Sequence, residues 1–157
     1  MAEPHARLPD PGRATSPMVV LPALALATIL VLFFVHPSSV VEVSTGDFML
    51  VTLFLGGGAA WLTGRAVARG WSPYWQVPVY SALLTAAVRF CHFALFNGTL
   101  RAYDYYLLEL VLLASIATLG FRSVRKRQMV RRYDWLFLPA GPLVWTARTA
   151  PDEDAQT

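Results

Sequence analysis

The chain has 157 residues, of which 55% are hydrophobic and only 15% are charged, and its mean hydropathy is +0.46. Soluble domains typically carry about 25% charged residues, and a soluble domain of this length could not bury so much apolar surface. The composition therefore excludes an ordinary soluble domain and favours an integral membrane protein. The formal net charge is +3, and the single cysteine, Cys91, excludes an intramolecular disulfide.

Four apolar stretches have roughly the length that a bilayer-spanning helix needs, about 20 residues. They cover residues 18–35, 47–66, 74–96 and 103–121. They predict an all-α fold, a polytopic transmembrane helix bundle of about four spans within residues 18–121. Residues 1–17, rich in proline, and the acidic tail 149–157 are expected to be disordered.

The first stretch is also the one that could be a signal peptide, because it is N-terminal and follows Arg7 and Arg13. Its apolar core is longer than the usual h-region of about 7–15 residues, and no small-residue cleavage site follows it. We favour a span that is retained.

The orientation follows from counting lysine and arginine in each loop. The loop at 36–46 has none and the loop at 97–102 has only Arg101, whereas Arg65 and Arg69 lie between the second and third stretches. Because positive loops stay in the cytoplasm, both termini are expected there.

A run of basic residues follows the fourth stretch: Arg122, Arg125, Lys126, Arg127, Arg131 and Arg132. We interpret it as a topology determinant that contacts anionic lipid headgroups, and not as a nucleic-acid interface. The short apolar run at 135–138 cannot span and is expected to lie in the headgroup layer. Residues 122–148 are thus predicted to be a basic cytoplasmic and interfacial segment.

Three ionisable residues fall inside the predicted spans: Arg89, His92 and Glu109. Arg89 lies eight residues before the turn that begins at Asn97, and Glu109 follows the same turn by a similar distance. Both therefore sit about 11 Å below the turn, given the helical rise per residue. A buried charge needs a partner, so the sequence predicts an Arg89–Glu109 ion pair within the membrane. His92 at i+3 and Asp104 could complete a polar cluster.

This set has two interpretations. It could be a proton relay or a site for a charged substrate, or a paired charge that fixes the register and rotation of two helices. We favour the second, because the cytoplasmic half of these spans has no further titratable groups to continue a relay. The sequence also has no catalytic motif and no credible set of metal ligands, so we expect no enzyme, no metal and no cofactor.

Gly56, Ala60 and Gly64 recur every four residues and share one face of the second span. Such a stripe of small residues lets another helix approach closely. The helix that packs there could belong to this chain or to another membrane protein.

From residue 48 to 145 the chain resembles a family of small bacterial membrane proteins that is known only as a domain of unknown function. The resemblance is carried by GGGAAW at 56–61, TGRA at 63–66, Trp71, Pro73, Trp75, Gln76, Ala87, RF at 89–90, HFALF at 92–96, GTL at 98–100, YY at 105–106, GFR at 120–122, RQM at 127–129 and GPL at 141–143. It implies an alphaproteobacterial source and genes encoded beside those of a branched-chain amino-acid ABC transporter.

The functional hypothesis that follows is a non-enzymatic accessory or assembly subunit of a membrane transport complex, with that importer as the candidate. Its partners would be the lipid bilayer and another membrane protein or further copies of itself. The alternative is a small oligomeric transporter or channel that uses Arg89, His92 and Glu109.

Overall fold

The structure is a computed structural model that describes residues 17–37, 40–42, 44–99 and 103–148. The two predicted disordered tails lie outside the described residues, except for Pro17, which begins the first helix. The loop at 97–102, with Arg101, is described only as far as Thr99.

Four long helices make up most of the fold: α1 (Pro17–Val35), α2 (Thr45–Arg69), α3 (Gln76–Phe96) and α4 (Tyr103–Arg132). Each is long and apolar enough to cross a membrane, and 76% of the structure is helical. Two short antiparallel strands, β1 (Phe137–Pro139) and β2 (Trp145–Ala147), follow α4. The predicted all-α fold of a multi-pass membrane protein is confirmed.

Helix α2 changes its winding in the membrane. Ser44 caps its first turn by accepting a hydrogen bond from the N–H of Asp47, at 3.1 Å. The segment Met49–Gly56 is π-helical, and regular α-helix resumes at Gly57. Segments of π-helix are uncommon and often occur at functional sites. Here the π-helical segment contains Thr52, which is completely buried.

Helices α2 and α4 make the closest contact in the bundle, through the glycine stripe. At Gly64 an added Cβ atom would overlap the carbonyl group of Ala117, and at Gly120 it would meet the backbone of Trp61. Ala60 is fully buried in the same core. The structure therefore places this face of α2 against α4 of the same chain, which leaves the stripe no room for a second membrane protein.

Helix α4 continues beyond the predicted end of the fourth stretch, residue 121, to Arg132. The residues of the basic run are mostly good helix formers, and no proline or glycine interrupts them. The helix is about 45 Å long at the usual rise per residue, whereas the hydrocarbon core of a bilayer is about 30 Å thick. One end of α4 must therefore extend past the hydrocarbon.

Helix α1 lies at the edge of the bundle and packs against α4 and the start of α2. Ile29 is buried together with Phe48 and Leu112, and the ring of Phe33 stacks on that of Phe48 with centroids 6.0 Å apart. Most of the other α1 side chains are exposed on the protein surface, as expected for a helix in contact with lipid.

Candidate functional site

The candidate site lies at the end of the bundle where α3 turns towards α4, which we call the turn end (residues 40–42 and 97–99). Helix α3 ends because Asn97 adopts a left-handed conformation with φ 54°. The N–H of Gly98 then bonds back to the carbonyl of His92 at 3.0 Å, which closes the turn over the end of the helix. This hydrogen bond fixes the turn next to the ionisable side chains of α3.

Six side chains from five chain segments form a polar cluster at the turn end: Glu42, Thr52, Arg89, His92, Thr99 and Glu109. The three ionisable residues on the helices are almost completely buried, with exposed fractions of 3% for Arg89, 1% for His92 and 2% for Glu109. Charges so deeply buried are stable only when they are paired and hydrogen-bonded.

Arg89 binds the Glu42 carboxylate, which comes from the loop after α1. The same guanidinium donates to the carbonyl oxygen of Thr99 at 3.0 Å. Thr99 in turn donates to Glu42 with its hydroxyl and with its backbone N–H, the latter at 2.8 Å. Partial burial of Glu42 raises its pKa, but the hydrogen bonds from Thr99 and the Arg89 guanidinium outweigh this and hold the pKa below its ordinary value. Three segments are thus joined around one carboxylate.

The second half of the cluster lies deeper. A guanidinium nitrogen of Arg89 is 3.7 Å from Oε1 of Glu109, and His92 Nε2 is 3.5 Å from the same oxygen. The hydroxyl of Thr52 lies 2.8 Å from His92 Nε2 and 3.4 Å from Glu109 Oε1. Thr52 therefore connects the π-helical segment of α2 to both α3 and α4.

The charges of the polar cluster can be counted from these contacts. Arg89 carries one positive charge and Glu42 one negative charge, so the two balance. Glu109 and His92, whose nearest atoms are 3.5 Å apart, make the cluster neutral when the two side chains together hold one proton. Glu109 and His92 can thus hold one proton between them within the bundle. Among the described residues no group of three His, Cys, Asp or Glu side chains could hold a metal ion.

The composition of the polar cluster differs from the sequence-based expectation at two residues, Asp104 and Glu42. Asp104 is exposed, and no hydrogen bond or ion pair joins it to the described residues of the polar cluster. It lies five residues before Glu109, which places it about 140° away around α4. Glu42 was not among the predicted residues, although the single acid in the loop at 36–46, at the same end of the bundle as Arg89, was a usable signal.

The basic run lies at the opposite end of the bundle, which we call the basic end (residues 70–75 and 122–148). Its members have different environments. Arg122 is buried, with its guanidinium 4.3 Å from the ring centroid of Trp145. Arg125 donates to the carbonyl oxygen of Ser72 at 2.8 Å and lies over the ring of Trp71. These two arginines are committed to packing within the chain, where they hold the strand pair and the α2–α3 loop against α4.

Four residues of the basic run remain: Lys126, Arg127, Arg131 and Arg132. Arg127, Arg131 and Arg132 are exposed, and the Arg132 guanidinium also lies 5.9 Å from the ring centroid of Trp71. These side chains are available for contacts outside the chain.

Comparison with known proteins gave one match. A family model described as "Domain of unknown function (DUF6867)" matches residues 43–148. No curated protein and no solved structure matches the chain. The match includes every helix except α1 and all of the polar cluster except Glu42, which immediately precedes it.

Proposed function

Because the chain belongs to the family of the DUF6867 domain, a domain of unknown function, we propose its role from its own packing: a non-enzymatic accessory or assembly subunit of a transport complex in the bacterial inner membrane. The termini lie in the cytoplasm in this proposal, as the distribution of basic residues favours. The candidate complex is a branched-chain amino-acid ABC importer, which the resemblance of the sequence implies.

The observation that carries the proposal is the closed packing between the polar cluster and the basic end. Ala117 lies eight residues after Glu109 on α4, about 12 Å along the helix axis. At that level the Gly64 and Gly120 contacts bring the backbones of α2 and α4 together. Among the described residues, no acid or histidine outside the polar cluster is buried. The described part of a single copy therefore offers no series of acids or histidines that would carry a proton from the cluster to the basic end; the buried side chains between them are mainly the hydroxyls of Ser81, Thr85, Ser115 and Thr118.

The polar cluster suits a structural role in such a subunit. It joins the α1–α2 loop, α2, α3 and α4 at the turn end, and its contacts fix the rotation of these helices. In lipid, packing and polar contacts between helices replace the hydrophobic effect as the source of specificity. A fixed bundle presents the same outer surface to a partner at all times.

The first experiment is purification of the tagged full chain from its native membrane in mild detergent, followed by native mass spectrometry. An accessory subunit is expected to elute with a distinct integral membrane protein at constant stoichiometry. Recovery of only homo-oligomers would contradict the proposal and favour the alternative, a small oligomeric transporter or channel.

The second experiment separates the two functions with Glu109→Gln, which removes the charge of Glu109 with little change in shape. Uptake of a labelled branched-chain amino acid and the membrane abundance of the protein are measured in the same cells. If the protein is an accessory subunit, uptake falls only in proportion to abundance. If uptake is lost while abundance is unchanged, the cluster carries a substrate or proton and the accessory role is wrong.

A further inference from the structure

The three exposed arginines at the basic end surround a hollow of about 530 Å³. Its wall is formed by Trp71, Val124, Arg127, Gln128, Arg131 and Arg132. This volume is within the range of small-molecule sites, about 300–1,000 Å³. The wall thus combines three guanidinium groups with one indole ring, and it contains no carboxylate.

The charge of this hollow is not balanced from within. None of the ion pairs formed by the described residues involves Arg127, Arg131 or Arg132. Arg127 and Arg131 are four residues apart, so like charges face each other along α4, which is unfavourable unless an anion lies between them. Arginine is also the residue best suited to bind a phosphate, because its planar group donates two parallel hydrogen bonds.

The position of the hollow along α4 indicates where the anion comes from. The fourth apolar stretch ends at residue 121, and Arg127 follows that residue by about 9 Å of helix. The headgroup layer extends about 5–8 Å beyond the hydrocarbon core on each side, and an arginine side chain can reach back towards it along its apolar stem. Trp71 and Trp135 are both exposed at the basic end, and tryptophan favours the headgroup layer. The hollow therefore opens where lipid phosphates lie.

We propose that this hollow binds the headgroup of one anionic phospholipid, with the phosphate held by Arg127, Arg131 and Arg132 against the ring of Trp71. In a general attraction of a basic segment to an anionic membrane, every basic residue would contribute alike. In this site, three arginines bind the phosphate and the neighbouring basic residues do not. Lys126 lies in the same helical turn but outside the hollow. It is therefore the matched control for removal of one positive charge.

The test uses the full chain in a mild neutral detergent, titrated with short-chain phosphatidylglycerol and followed by native mass spectrometry. We expect one bound lipid per chain. Arg131→Gln and Arg127→Gln should each raise the dissociation constant of the lipid about tenfold, which is the loss of affinity expected for one charge-assisted hydrogen bond. Lys126→Gln should leave it unchanged. All three changes are on solvent-exposed or half-exposed side chains, so circular dichroism should show the same helix content in each variant.

Three outcomes would overturn the proposal. Equal weakening by Lys126→Gln and Arg131→Gln would mean diffuse electrostatic attraction, with no site. Equal binding of phosphatidylcholine would mean that the headgroup charge is not recognised. Binding of inorganic phosphate or glycerol 3-phosphate as tightly as the lipid would assign the hollow to a free phosphate compound.

Discussion

Replacement of Gly64 by alanine adds one methyl group at the closest helix contact of the bundle. An added Cβ atom would lie 2.7 Å from the carbonyl carbon of Ala117 and 2.9 Å from the backbone nitrogen of Phe121, and it would overlap the Ala117 carbonyl oxygen. All of these atoms belong to the backbone of α4, so no side-chain rotation can make space. Helices α2 and α4 must move apart.

The size of the effect follows from two opposing terms. Overpacking of a well-packed interior costs about 1–3 kcal/mol, and a clash with backbone belongs at the upper end of this range, about 3 kcal/mol. Alanine gains about 1 kcal/mol over glycine in a helix. The net loss is therefore about 2 kcal/mol, which for a chain of this length lowers the midpoint of thermal unfolding by about 4–8 °C.

The assay is thermal denaturation of the purified full chain in one mild detergent, followed by circular dichroism. Gly58→Ala is the matched control, because it makes the same chemical change six residues away on α2, where an added Cβ meets nothing within 4 Å. We expect this control to melt at or slightly above the temperature of the unmodified protein. If Gly64→Ala melts together with Gly58→Ala, the reasoning on the α2–α4 contact is wrong.

Three further predictions concern the two ends of the bundle. Arg89→Gln should lower the melting temperature more than Glu109→Gln, because Arg89 pairs with two carboxylates and removal of one partner of a buried pair costs about 3–5 kcal/mol. Equal effects of the two changes would contradict the pairing of Arg89 with both Glu42 and Glu109. Glu42 has a folded-state pKa below its ordinary value of 4.5, so it stabilises the fold above that pH and loses this contribution as the pH falls through the lower folded-state pKa. The difference in melting temperature between the unmodified protein and Glu42→Gln should therefore shrink on acidification. A difference that stays constant with pH would refute this prediction. Trp145→Ala removes the ring that lies 4.3 Å from the Arg122 guanidinium, so limited proteolysis between residues 133 and 148 should become faster. Trp135→Ala, at an exposed position, is the control and should leave the cleavage rate unchanged.

The four spans could be predicted from the sequence because hydrophobic length is a local property. A stretch of about 20 apolar residues forms a helix in lipid wherever it occurs, since every backbone group must be hydrogen-bonded within the segment. The depth of a charged residue along a span is also a local property. The helical rise placed Arg89 and Glu109 at one level, and the structure places their charged groups 3.7 Å apart.

The rotation of each helix and its non-local partners were decided only by the tertiary structure. Helical periodicity gives the angle between Asp104 and Glu109 around α4, about 140°, but only the structure shows that the face with Glu109 is the one that meets Arg89. Glu42 reaches Arg89 from a segment 47 residues away, so no local pattern connects them. The sequence also identified the face of α2 that carries Gly64, but it did not show which helix packs against this face.

The sequence by itself therefore determined how many helices cross the membrane, where they lie along the chain and how deep the charged residues sit. The tertiary structure decided which faces meet, which carboxylate holds Arg89, and which basic residues are used for packing while others remain exposed. The physical reason is that lipid is as apolar as the side chains it surrounds. The hydrophobic pattern that drives insertion consequently does not select one helix face over another, and close packing and polar pairing make that choice.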